Sequence, residues 1–145
     1  MRNNYAVALA ERGKLARARR VFGALGDPSG KDFEETYRAT EGLLRYREGR
    51  IASARECYDK CRAALEKVGD FRGALISIVF QTSEEQALNH FTEAAKLIQI
   101  GESYAKRIDS RDLAQLLRDE RAELEKLAAD GTGVDYDMLA GTDKN

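Results

Sequence analysis

Hydrophobic positions in this chain recur at helical spacing, in blocks that end on a glycine or a polar break. Tyr5, Ala6 and Leu9 mark one face of a helix that stops at Gly13, and Leu15, Ala18, Val21, Phe22 and Leu25 mark the next. The run Gly26-Asp27-Pro28-Ser29-Gly30 then interrupts the pattern. A second pair opens with Asp32 and Glu35 in capping-box spacing and turns at Gly49. It continues from Ile51 through Ala54, Tyr58, Cys61 and Leu65 to Val68, where Gly69 ends it. The third pair opens at Asp70. Its first helix carries Phe71, Ala74, Leu75, Ile76, Ile78, Val79 and Phe80 and is apolar on nearly all sides. Alone, Ile76–Phe80 also reads as a buried strand, but its place in the series predicts a helix buried on both faces. Ser83 and Gln86 predict the start of the following helix, which runs through Ala87, Phe91, Ala94, Ala95 and Ile98 and on through Tyr104 to Ile108. Ser110 caps a last helix, residues 111–129, with Leu113, Leu116, Leu117, Leu124 and Leu127 on its apolar side and Gly131 beyond its end. Residues 131–145, acidic and rich in glycine, are predicted to be disordered.

One small pattern repeats across these blocks: a break, an alanine, and an aromatic after three intervening residues. It reads Gly13…Ala18-x3-Phe22, Gly49…Ala54-x3-Tyr58 and Thr82…Ala87-x3-Phe91, with the alanines 36 and 33 residues apart. A period near 34 with this internal pattern is that of paired helices stacked into a solenoid. Composition agrees: one proline in 145 residues, with abundant Ala, Leu, Arg, Glu and Lys, predicts an all-α protein.

The net charge of −1 argues against a nucleic-acid ligand. The charge is uneven, with 15 Lys and Arg against 11 Asp and Glu in residues 1–70, and 9 against 14 in residues 71–145. Lys14, Arg17, Arg19 and Arg20 form a basic cluster that reads as a solvated face, since no aromatic residues interleave with it for base stacking. No apolar run approaches the ~20 residues that span a bilayer, and Glu11 and Arg12 interrupt the only N-terminal apolar stretch, so no membrane contact and a cytoplasmic residence are predicted.

Little in the chain suggests chemistry. Cys57 and Cys61 lie one helical turn apart, where a disulfide would strain the helix, and Cys61 reads as a small core residue. The single histidine, His90, reads as a polar surface residue, so neither a zinc site nor a Ser-His-Asp arrangement is expected. Phosphate-binding glycine loops and dinucleotide fingerprints are also missing from the sequence. Catalytic residues, a metal and cofactors are all expected to be absent.

The three units resemble the tetratricopeptide repeat, whose pattern is W-x2-L-G-x2-Y, then A-x3-F, then P. In the third, Phe71-x2-Ala74-Leu75-x2-Ile78 precedes Ala87-x3-Phe91; in the first, Tyr5-Ala6-x2-Leu9 precedes Ala18-x3-Phe22, with Arg2 in place of the leading aromatic. In the second, Gly42 matches the small residue at the helix crossing, while Arg45 replaces an aromatic for which Tyr46 substitutes. The resemblance covers about residues 3–98 and implies a right-handed superhelical stack of antiparallel helix pairs, with units at about 3–25, 33–68 and 71–108 and the whole repeat domain at 1–130. It further implies that the first helix of each pair lines a concave groove. By register its wall comprises Asn3, Val7, Ala39, Leu43, Tyr46, Arg47, Arg72, Ile76 and Phe80, a largely apolar set suited to an amphipathic helix.

The helix over 111–129 is expected to cover one end of the stack, with Asp112, Arg118, Asp119, Arg121, Glu123 and Lys126 facing water. The first helix has no such cover, which implies either a longer repeat protein or a homodimer through Tyr5, Val7 and Leu9. Within the tail, Val134-Asp135-Tyr136-Asp137-Met138-Leu139 reads as an acidic-apolar docking peptide or as a plain disordered end. The expected function is a non-catalytic adaptor whose partner is another protein, contributing a peptide or helix. Two alternatives stand beside it: an oligomerisation or sensor segment of a larger signalling or transcription-regulatory protein, and an RNA-contacting helical repeat.

Overall fold

The computed structural model describes residues 2–26 and 34–129, with side chains from Ala6 onward. These residues form α1 (Arg2–Glu11), α2 (Leu15–Gly23), α3 (Glu34–Arg47), α4 (Ile51–Lys67), α5 (Phe71–Ala87), α6 (Phe91–Ala105) and α7 (Arg111–Ala129), with no strand among them. The all-α expectation is met. The predicted cap at Asp32, the break over 27–30, the stop at Gly131 and the tail with its Val134–Leu139 segment lie outside the described residues.

Four of the helix junctions share one construction. Gly13, Gly49, Gly69 and Asn89 all take a left-handed backbone, with φ between 60° and 79°. At each, the amide of that residue donates three residues back and the next amide donates five residues back: Gly13 to Ala10 and Lys14 to Leu9, Gly49 to Tyr46 and Arg50 to Arg45, Gly69 to Glu66 and Asp70 to Leu65, Asn89 to Gln86 and His90 to Glu85. This is the Schellman termination, and it satisfies carbonyls that the helix end would otherwise leave without donors. The residue after each turn starts the next helix, its carbonyl accepting from the amide of Ala18, Ala54, Ala74 or Ala94. All four alanines are buried. The local rule is therefore Gly or Asn, one residue, a large apolar residue (Leu15, Ile51, Phe71, Phe91), two residues, then alanine.

Asn89 corrects the third unit. No break occurs at Thr82, and Ser83 does not start a helix; α5 runs through both to Ala87, and the chain turns at Asn89. Asparagine tolerates the left-handed region better than other residues with a side chain, so it ends the helix where the other turns use glycine. The equivalent positions are then Ala18, Ala54 and Ala94, followed by Phe22, Tyr58 and Ile98, all buried. Ala87 and Phe91 belong to different helices.

Two compact units divide the chain. In the first, residues 1–64, Ala6, Leu9, Ala10, Ala18, Phe22, Leu43 and Leu44 form one apolar cluster, with Phe22 stacked on Tyr37 at 4.2 Å between ring centroids. A smaller cluster joins Tyr46, Ile51, Ala54 and Tyr58. Gly42 lets α3 approach α4 here: a Cβ on it would lie 2.7 Å from Tyr58 Cδ2 and 3.3 Å from the Ala54 carbonyl oxygen.

In the second unit, from Leu65, one core gathers Ala74, Leu75 and Ile78 of α5, Phe91, Ala94, Leu97, Ile98 and Tyr104 of α6, and Leu113, Leu117 and Leu124 of α7. Gly101 plays the part of a close-approach residue, since a Cβ there would meet Leu117 Cδ1 at 2.9 Å and Ile78 Cγ2 at 3.0 Å. Asp70 Oδ1 caps α5 by accepting from the Gly73 amide at 2.8 Å, and Ser110 Oγ accepts from the Leu113 amide at 3.3 Å at the start of α7. Tyr104 donates its hydroxyl to Glu66, tying α6 to the end of α4.

Candidate functional site

Helix α5 inverts the expected pattern. The sequence predicts a helix buried on both faces, yet Phe80 is 58% exposed and Ile76 36%, while Ser77, Gln81, Thr82 and Glu85 are buried. Arg72, Ile76, Phe80 and Ser83 follow one another at spacings of four, four and three, so they share one face of the helix. That face presents apolar side chains to water from a helix whose other side is buried in the core.

Its neighbour is α7. Arg72 Nη1 donates to Ser110 Oγ at 3.4 Å, Ser83 Oγ to Glu120 Oε1 at 3.2 Å, and Gln86 Nε2 to the Glu120 carbonyl at 2.8 Å. Early residues of α5 thus meet the start of α7, and late ones its middle, so the two helices run parallel. Leu116, exposed on α7, lies between Ser110 and Glu120 and is level with the α5 stretch between Arg72 and Ser83 that holds Ile76 and Phe80. Glu120 is half-buried, and its carboxyl is held above the ordinary range by burial, with Glu123 and Asp119 adding repulsion against the Ser83 hydrogen bond. Leu116 and Glu120 were not singled out in the sequence as docking residues. The signal that finds them is their spacing of four along α7, next to Asp112 and Glu123.

The other predicted groove residues are distributed differently. Leu43 and Tyr46 are buried in the two clusters of the first unit, with the Tyr46 ring 5.8 Å from that of Tyr58. Ala39 is half-buried against the same tyrosine cluster, Val7 is half-buried beside Leu9, and Arg47 is exposed. Leu9, predicted to mediate self-association, is buried in its own unit. The side chains of Asn3 and Tyr5 lie outside the described residues. Arg72, Ile76 and Phe80 are the part of the predicted set that one exposed face brings together.

Polar groups lie under that face. Glu85 is fully buried, and His90 Nδ1 donates to its Oε1 at 2.7 Å. His90 is therefore not the surface residue the sequence suggests; it closes the α5–α6 turn from inside. In the first unit Arg19, part of the basic cluster, donates to both oxygens of Glu41 at 2.8 and 2.9 Å and to Glu48 at 2.7 and 3.2 Å. Arg45 reaches Glu41 at 3.0 Å and Ser53 Oγ at 2.5 Å. This network takes Arg19 out of any free basic patch.

The cysteines are free thiols. Cys61 is buried with Sγ 3.4 Å from the Glu35 carbonyl oxygen, and burial lifts its pKa to about 11; burial also raises that of half-buried Cys57. Among the described residues no three His, Cys, Asp or Glu side chains are grouped to hold a metal ion, and no helix is long and apolar enough to cross a membrane. An open groove of about 460 Å³ between α6 and α7 is lined by Phe91, Ala95, Lys96, Leu124 and Ala128. Neither a protein-family model, nor a curated protein, nor a solved structure matches the chain.

Proposed function

We propose that this chain is a helical-repeat protein of the tetratricopeptide type, stacked as a right-handed superhelix, that docks a helical or peptide segment of another protein without catalysing a reaction. The observation that carries the reading is the inversion on α5: Ile76 and Phe80 face water while Gln81, Thr82 and Glu85 of the same helix are buried. Burying the exposed parts of Ile76 and Phe80 (36% and 58%) under a partner would recover a corresponding fraction of the about 1.5–3 kcal/mol that complete burial of such a side chain contributes. An exposed apolar patch on an otherwise packed helix is a feature of contact surfaces. The repeat reading is supported by the three hairpins that share the rule Gly or Asn, one residue, Leu, Ile or Phe, two residues, alanine (13–18, 49–54 and 89–94).

The test is a display selection of peptides on the full chain, the selected peptides then being measured against Phe80→Ser. Selected peptides should carry apolar residues at i, i+3 or i+4 and i+7, and their affinity should fall by more than about tenfold on Phe80→Ser with the helical circular dichroism unchanged. Equal binding to both proteins would place the docking surface elsewhere.

A further inference from the structure

We infer that the segment docked on the α5–α7 face is a basic amphipathic helix, its apolar stripe on Ile76, Phe80 and Leu116 and its lysines or arginines against the carboxylates of α7. This names the chemistry of the partner and rests on the docking reading above.

The charge on α7 is sorted by side. Asp112, Glu120 and Glu123 stand four, four and seven residues from Leu116, which puts them on Leu116's flank of the helix. Glu120 is fixed there by Ser83 and Gln86 of α5. Arg118 and Arg121 stand two and five residues from Leu116, toward the opposite flank. Both are engaged there: Arg121 Nη2 donates to Glu102 of α6 at 2.6 Å, and Arg118 donates to Gln115 at 2.8 and 3.3 Å. Lys126 lies beyond Glu123 at the far end, ten residues from Leu116.

On the α5 side the rim holds Arg72 and Glu84. Arg72 stands at one end and donates to Ser110, and Glu84 follows Phe80 by one turn. The apolar patch is therefore edged mainly by carboxylates, and burial, with added repulsion from Glu123 and Asp119, disfavours the charged form of Glu120. A cationic partner relieves that repulsion, whereas an acidic one adds to it. The geometry suits a helix, because Ile76 and Phe80 are one turn apart and Leu116 is exposed at the same level of a parallel neighbour.

The experiment uses the full chain and two synthetic helical peptides with the same leucine stripe, one with a lysine polar face and one with a glutamate polar face. Binding is read by fluorescence anisotropy at low salt. The lysine peptide is expected to bind about tenfold tighter, a preference lost at high salt and in Asp112→Asn combined with Glu123→Gln. Phe80→Ser should weaken both peptides. Equal or tighter binding of the glutamate peptide, still sensitive to Phe80→Ser, would overturn the assignment of a basic partner and leave the docking face standing. Lysine-peptide binding that survives Phe80→Ser, or no binding of either peptide, would overturn both. So would a dimer of the full chain that Phe80→Ser converts to monomer and neither peptide disrupts, since the occupant would then be a second copy.

Discussion

Glu85 holds His90 twice across the Asn89 turn: its carbonyl accepts from the His90 amide at 2.9 Å and its carboxylate from Nδ1 at 2.7 Å. One buried residue thereby closes the turn through its backbone and fixes the start of α6 through its side chain. His90→Ala removes the side-chain bond inside the core and should lower stability by about 2 kcal/mol in urea unfolding. Glu85→Gln keeps an oxygen that accepts from Nδ1 and should cost less. The reverse order would mean that the pair does not anchor the turn.

Asn89, with φ of 60°, is the non-glycine residue that the described chain places in the left-handed region. Asn89→Ala should destabilise the protein by about 1 kcal/mol, whereas Asn89→Gly should be neutral or stabilising, because glycine carries no Cβ penalty there. Thermal unfolding of the two variants distinguishes this from a helix continuing through residue 89, where glycine would be the worse substitution.

Gly42 of α3 packs against Tyr58 and the Ala54 carbonyl of α4, and the ring of Tyr58 occupies the space a Cβ would need. Gly42→Ala should therefore cost about 1–3 kcal/mol despite alanine's better helix propensity. The double variant with Tyr58→Leu should recover part of that loss. A stabilising Gly42→Ala would contradict the packing of these two helices.

Cys61 titrates at about 11 against an ordinary 9.0, because burial disfavours the thiolate. The unfolded chain thus gives up this proton about two pH units before the folded one does, so stability is fully present below pH 9.0 and declines as pH rises toward about 11. Cys61→Ala should remove that part of the alkaline loss. At neutral pH the native protein should alkylate Cys57, which is half-buried, faster than Cys61, which is buried. Mass spectrometry after limited alkylation reads the order.

The helices, three of the four tight turns and the small residue at Gly42 were legible in the sequence because glycine and a 3.6-residue apolar period mark them directly. The third hairpin was not. Reading Thr82 as the break shifts the repeat by seven residues, from Ala94 and Ile98 to Ala87 and Phe91. Seven residues are nearly two full turns, so along an uninterrupted helix the slipped pattern would look as regular as the true one, and only the turn at Asn89 separates them. The turn itself hid in asparagine. The exposed side of α5 was legible only through the repeat register, which puts Ile76 and Phe80 on the groove wall; hydrophobicity alone makes the same helix apolar on nearly all sides and gives no sign that Gln81, Thr82 and Glu85 are buried. The burial of Leu9, Leu43 and Tyr46 depends on neighbouring helices that the chain's local pattern does not specify.

The docking face is tested most directly by mapping amide chemical shifts of the full, isotope-labelled chain as the lysine-faced peptide is added. The largest changes should fall on residues 72–84 of α5 and 112–123 of α7, centred on Phe80 and Leu116. Changes centred instead on Phe91, Lys96 and Ala128 along the α6–α7 groove, or on the Lys14–Arg20 stretch of α2, would contradict it.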